Sequence, residues 1–112
     1  HLTSTMGDPL EIHAWTQALG RRGNHFPYIN ALKSLIGHCL SAAGAIECVA
    51  TAIQLHEGFL HPSLNCEDLH PRIGALIAPE RVVAENHSQA PRIIAKASFG
   101  FGDVNSVLIF RR

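Results

Sequence analysis

Lys33 and His38 stand five positions apart in Lys33-Ser34-Leu35-Ile36-Gly37-His38, and Ala42-Ala43-Gly44 follows closely. The lysine falls at the end of a β-like run, Pro27 to Leu32, and the histidine at the mouth of a small-residue helix. A cation and an imidazole delivered together to a helix N-terminus can polarise a carbonyl and carry a proton. A lone lysine is ordinarily solvated, and a lone histidine is ordinarily a surface or satisfied core group. The joint spacing with Ala42-Ala43-Gly44 and Glu47 sets this pair apart. Glu47 has apolar neighbours in Ile46, Cys48 and Val49, which predicts a buried carboxylate with a partner.

A second cluster is Ser98-Phe99-Gly100-Phe101-Gly102. Gly100 and Gly102 allow left-handed backbone and close approach to a reacting group. The plainer reading is a hairpin turn with two core phenylalanines, Phe99 and Phe101. Asp103 follows, and aspartate tolerates the left-handed region better than most residues. Gly100-Phe101-Gly102 is not a dinucleotide loop, because a strand and not a helix comes next. Eight histidines raise the question of metal, but none pairs at helical ligand spacing among polar helix positions, so no metal is expected. Cys39, Cys48 and Cys66 lack CxxC spacing and read as reduced, small, buried thiols rather than nucleophiles.

The elements that must hold these groups are legible in outline. Gly7-Asp8-Pro9 starts a helix, with Asp8 as cap and Pro9 in the first turn. Leu10, Ala14 and Ala18 with Ile12, Trp15 and Leu19 give it a broad apolar face, and Gly20 ends it. Ser41 to Glu57 is the strongest helix, stopped by Gly58. Its Ala42-Ala43-Gly44-Ala45 start predicts a helix buried between layers. Leu60 to Pro71 reads as loop, Ala75 to Ala78 as a weak strand and Glu85 to Pro91 as a polar turn. Ile93 to Ser98 and Val104 to Phe110 form a hairpin. Helices alternating with strands predict a layered α/β domain over residues 1–112.

Composition narrows the partners. The chain has 112 residues, 46% hydrophobic and 16% charged, with zero net charge. That balance excludes a general electrostatic pull on nucleic acid or anionic membrane. So apolar a small chain is expected to bury surface against something else. The weakly polar run from Cys39 to Leu55 carries Glu47 and Gln54 and is too short to span a bilayer. No signal-peptide pattern opens the sequence, so a cytoplasmic protein is expected. It starts abruptly inside a motif, which reads as a fragment of a longer chain.

The pattern K-S-x-x-G-H-x-x-x-A-A-G, with His1-Leu2-Thr3-Ser4-Thr5, Gly7-Asp8-Pro9-Leu10-Glu11 and Ser98-Phe99-Gly100-Phe101-Gly102, resembles the C-terminal part of a β-ketoacyl synthase. The resemblance covers essentially the whole chain and is strongest at 33–47 and 98–105. It implies the C-terminal half of a thiolase-type fold, a layered αβα unit. It implies decarboxylative Claisen condensation of an acyl thioester with malonyl-acyl carrier protein, for fatty-acid or polyketide synthesis, without cofactor. By the same resemblance His38 stabilises the malonyl-derived enolate, Lys33 supports it electrostatically and Glu47 pairs with that lysine. Phe99 gates the acyl pocket and lends its N–H to an oxyanion hole, within the turn of Gly100, Phe101 and Gly102.

His1 fits the family histidine if one residue is missing before Gly7. Read back from Gly7-Asp8, that histidine precedes residue 1, and His1 is then a foreign residue. Leu2, Ala97 and Asp103 stand where the family has glycine, asparagine and glycine. The nucleophilic cysteine belongs to the N-terminal half, so the isolated chain is expected to be inactive. Expected partners are acyl carrier protein, the synthase's own N-terminal half and, at full length, a second copy. The alternative is a non-catalytic subunit of the chain-length-factor type.

Overall fold

Glycine and proline punctuate the chain where its helices stop and start. The structure, a computed structural model, describes residues 5–112. Helix α1 spans Gly7–Leu19 and ends on Gly20, whose φ of 62° is left-handed and whose N–H donates to the Gln17 carbonyl. Helix α2 is the single turn Lys33–Ile36. A 3₁₀ turn over Leu40–Ala42 leads into α3, Ala43–Glu57, and Gly58 closes α3 at φ 74°. Helix α4 is the turn Pro71–Gly74, and Pro79–Arg81 is a further 3₁₀ turn. Strands β1 (Ile93–Gly100) and β2 (Val104–Arg111) pair antiparallel, with Ile93 opposite Arg111 and Gly100 opposite Val104. Helices with a two-stranded sheet make this an α/β chain in the broad sense.

The chain divides into two compact units, each assembled from two separate stretches of sequence. One comprises residues 1–37 and 62–85, the other 38–61 and 86–112. In the first, Ile12 of α1 packs with Phe26, Ile73 and Ile77, flanked by Trp15, Ile29, Leu69, Leu76 and Val82. Single parallel bridges, Gly23 to Ile77 and Ile29 to Val82, tie its loops together. The Arg81 guanidinium lies 4.8 Å from the Tyr28 ring centroid and donates to the Asn24 carbonyl. In the second unit, α3 packs on the β1–β2 hairpin. Gln54 Oε1 accepts from the His61 N–H at 3.1 Å, and Leu60 bridges His87.

Several expectations are corrected. Asp8 is not the cap: α1 begins two residues earlier than expected, with Met6 at the N-cap position, and Asp8 lies in the first turn, where the helix dipole favours its charge. The buried face of α1 is Pro9, Ile12 and Thr16, whereas Leu10, Ala14, Ala18 and Leu19 are exposed. Thr16 can be buried because its hydroxyl donates to the His13 carbonyl at 2.7 Å. The strands expected at Pro27 to Leu32 and Ala75 to Ala78 reduce to the single bridges at Ile29 and Ile77. Lys33 therefore opens a helical turn and does not end a strand. Helix α3 is buried on one side, through Ala43, Thr51, Gln54 and Leu55, while Ile46, Val49 and Ile53 on its outer side are exposed. No described helix is long and apolar enough to cross a membrane.

Candidate active site

The local geometry around His38 fixes the state of its ring. The backbone N–H of Leu40 donates to His38 Nδ1 at 2.9 Å. A ring nitrogen that accepts a hydrogen bond carries no proton, so the proton sits on Nε2. Leu40 achieves this by adopting φ 49°, uncommon for a leucine, just before the turn that starts α3. The imidazole is exposed, and it is presented as an Nε2–H donor at the approach to a helix.

Lys33 belongs to the first unit and is half-buried on α2, with Gly37 N–H donating to its carbonyl at 2.9 Å. Its support comes from two serines. Ser34 Oγ donates to the Ala31 carbonyl at 2.8 Å and accepts from the Leu64 N–H at 3.0 Å. Ser63 Oγ accepts from the Ala31 N–H at 3.0 Å. The two hydroxyls pin the start of α2 to the 62–64 loop. Sequence reasoning gave these serines no role, and hydroxyl side chains in loops carry little signal by themselves.

Phe99 lies on β1, half-exposed, opposite Asn105. Alternation along the strand puts it on the face away from Lys96 and Ser98. A Cβ on Gly100 would sit 3.3 Å from the Val104 carbonyl oxygen, a close contact that glycine avoids where the two strands meet. The loop turns through Gly102 at φ 76° and Asp103 at φ 59°, and Phe101 stands fully exposed. Asp103 thus takes the left-handed conformation expected of it, while Phe101 is not a core residue.

The carboxylate of Glu47 lies 2.9 Å from Lys96 Nζ, and both side chains are largely buried. The sequence reading passed over Lys96 as a partner of Glu47. The signal was present: a lysine inside the apolar run Ile93-Ile94-Ala95-Lys96-Ala97. Of the residues singled out from sequence, His38, Glu47, Phe99, Gly100, Phe101 and Gly102 share one compact unit. His1 lies outside the described residues. Among the described residues no group of three His, Cys, Asp or Glu side chains gathers as metal ligands. Cys66 donates to the Ser63 carbonyl, and burial, with the nearby Glu67 charge, raises its thiol pKa. That is the reverse of an activated nucleophile.

An Nε2–H donor ahead of a small-residue helix is a group that can donate to a developing oxyanion, and a glycine-containing phenylalanine turn lies in the same unit. Comparison with known proteins gives this chain a family. Residues 1–67 match the β-ketoacyl synthase C-terminal domain, and the chain belongs to that family. It is 34% identical over 113 residues to 3-oxoacyl-[acyl-carrier-protein] synthase 1 of Escherichia coli K12, an alignment covering 100% of this chain and 26% of that protein. It is 39% identical over 111 residues to the chloroplastic 3-oxoacyl-[acyl-carrier-protein] synthase I of Arabidopsis thaliana, covering 98% of the chain and 22% of the relative. The corresponding barley (Hordeum vulgare) enzyme is 36% identical over 111 residues, covering 98% and 23%. The chain spans about a quarter of the length of these curated relatives.

Proposed function

We propose that the chain is the C-terminal portion of a 3-oxoacyl-[acyl-carrier-protein] synthase that extends acyl chains in fatty-acid synthesis, in a thiolase-type layered fold completed by an N-terminal portion. The acyl group waits as a thioester on a cysteine of that N-terminal portion. The malonyl thioester loses its carboxylate as carbon dioxide, and the released electron pair forms an enolate. His38 Nε2–H donates to the enolate oxygen, and Lys33 supports the negative charge. The enolate carbon attacks the acyl carbonyl, a carbon–carbon bond forms and the cysteine thiolate leaves. Phe99 gates the acyl pocket, and the glycines around it let its backbone N–H approach the tetrahedral oxyanion. The family histidine at His1 would be a second donor to the extender. Partners are acyl carrier protein and, through the N-terminal portion, a second copy, in the cytoplasm.

The observation that carries this reading is the Leu40 N–H bond to His38 Nδ1, which leaves Nε2 as a proton-bearing donor within a matched family motif. The test is carbon–carbon bond formation from acyl- and malonyl-carrier-protein thioesters by the full-length protein. A 3-oxoacyl product with release of carbon dioxide is expected, and the 112-residue chain alone should give none. A full-length protein that leaves malonyl thioester untouched would instead favour a non-catalytic partner subunit.

A further inference from the structure

The face of β1 that meets α3 carries a cation where an apolar side chain would pack. Lys96 is 9% exposed. Its Nζ lies 2.9 Å from the Glu47 carboxylate on α3 and also donates to Ser98 Oγ on its own strand. Gly44, one turn before Glu47, faces the same two groups: a Cβ there would lie at ordinary contact distance, 3.7 Å from Lys96 Nζ and 3.8 Å from Ser98 Oγ. One ammonium therefore joins the first turns of α3 to the end of β1. Buried ion pairs are poor sources of net stability, because desolvation offsets the attraction, and fixing register is their best-attested use. Ser98 immediately precedes Phe99, so whatever fixes Ser98 fixes the entry to the Phe99–Asp103 turn.

We propose that Lys96 is a positioning residue: by bonding Glu47 and Ser98 at once, it sets the placement of the Phe99 turn relative to α3. Its consequence for the reaction rests on the reading of Phe99 as the acyl-pocket gate. Lys96 itself touches no substrate. An apolar residue would fill the same volume, but its contacts are not directional and would let the strand end shift along the helix. The ammonium has three directional donors, two of which are spent on groups that belong to different elements.

The test uses the full-length protein and the variant Lys96→Met, which keeps an unbranched stem and removes the donors. Amide hydrogen exchange at residues 99–103 should speed up by about tenfold, with the middle of α1 in the other unit changed by less than about twofold. Lys96→Arg, which retains a charged donor, should restore much of the protection. Acyl loading should fall by about tenfold in Lys96→Met, yet adding this change to Phe99→Ala should cost little more, since coupled residues are not additive. Should Lys96→Met fail to fold, Ser98→Ala severs the contact nearest the turn, keeps the ion pair and carries the same expectations. Unchanged exchange at 99–103 in a folded variant overturns the proposal, as does a rise spread evenly along the chain. If Phe99→Ala alone loads at the normal rate, the gate reading falls, while the exchange result still decides the role of Lys96.

Discussion

Replacing His38 by alanine separates the chemistry of this site from its fold. The side chain is exposed, and its ring accepts from the Leu40 N–H at 2.9 Å. Removing the ring leaves that N–H within reach of water, so losing this bond costs about 0.5–1.5 kcal/mol of stability. Losing one preorganised donor to a developing oxyanion costs about 3–4 kcal/mol, roughly a 10²–10³-fold fall in rate. The two magnitudes differ enough to be told apart in one preparation. Malonyl decarboxylation by the full-length His38→Ala protein should drop by that factor, while acyl transfer to the cysteine proceeds and the melting temperature moves by only a few degrees. Decarboxylation and loading should be followed separately, by release of labelled carbon dioxide and by mass of the acyl-enzyme. A variant that decarboxylates normally but does not load would refute the role given to His38. So would a variant whose activity loss is matched by loss of folded protein.

Phe26→Ala should destabilise its unit by about 3–5 kcal/mol, since the ring is 1% exposed among Ile12, Ile73 and Ile77. A denaturant midpoint within error of the unsubstituted protein would contradict that core. Gly58→Ala should cost about 1–2 kcal/mol from its left-handed φ of 74°. The new Cβ would also meet that of Ala90 at 3.2 Å, so a melt showing no loss would mean α3 ends differently. Burial and the Glu67 charge keep Cys66 protonated to higher pH than an ordinary thiol, so iodoacetamide should modify it slowly at pH 8 and faster as pH rises. Folding favours the protonated thiol, so this contribution to stability is present below the unfolded thiol pKa and is lost as pH rises through the folded one. Labelling of Cys66 in the folded protein as fast as in the denatured chain would oppose this.

How much the sequence disclosed depended on the range of the interaction responsible. Helices α1 and α3 and the hairpin were readable because their signals are local: Gly20 and Gly58 as stops, and two apolar runs around a glycine turn. The strands expected near Ile29 and Ile77 were not realised, because a strand needs a continuous ladder. Their partners, Val82 and Gly23, lie far along the chain and supply one bridge each. The buried side of α1 was misjudged because hydrophobicity ranks Leu10 above Thr16, whereas Thr16 carries its own hydrogen-bond acceptor with it. Motif spacing singled out His38, Glu47 and the Phe99 turn, and the structure gathers these in one unit. Lys96 escaped notice because its meaning lies in a contact with Glu47, on another element. The division into two units had no marker, since neither low-complexity sequence nor a charge run separates them.

The interleaving of the two units has a consequence for biosynthesis. The unit that holds His38 takes one stretch from residues 38–61 and its remainder from 86–112, with the other unit's second stretch synthesised in between. On the ribosome, α3 must therefore emerge with its sheet-facing side uncovered and wait while residues 58–92 are added before β1 exists to receive it. Closing a loop of that length before any contact rewards it slows folding and lengthens exposure of apolar surface. The imidazole and the phenylalanine turn become parts of one folded body only when β2 has left the exit tunnel. A nascent chain stalled before β1 has His38 but not the Phe99 turn, and chaperone crosslinking to stalled chains should be heaviest in that interval.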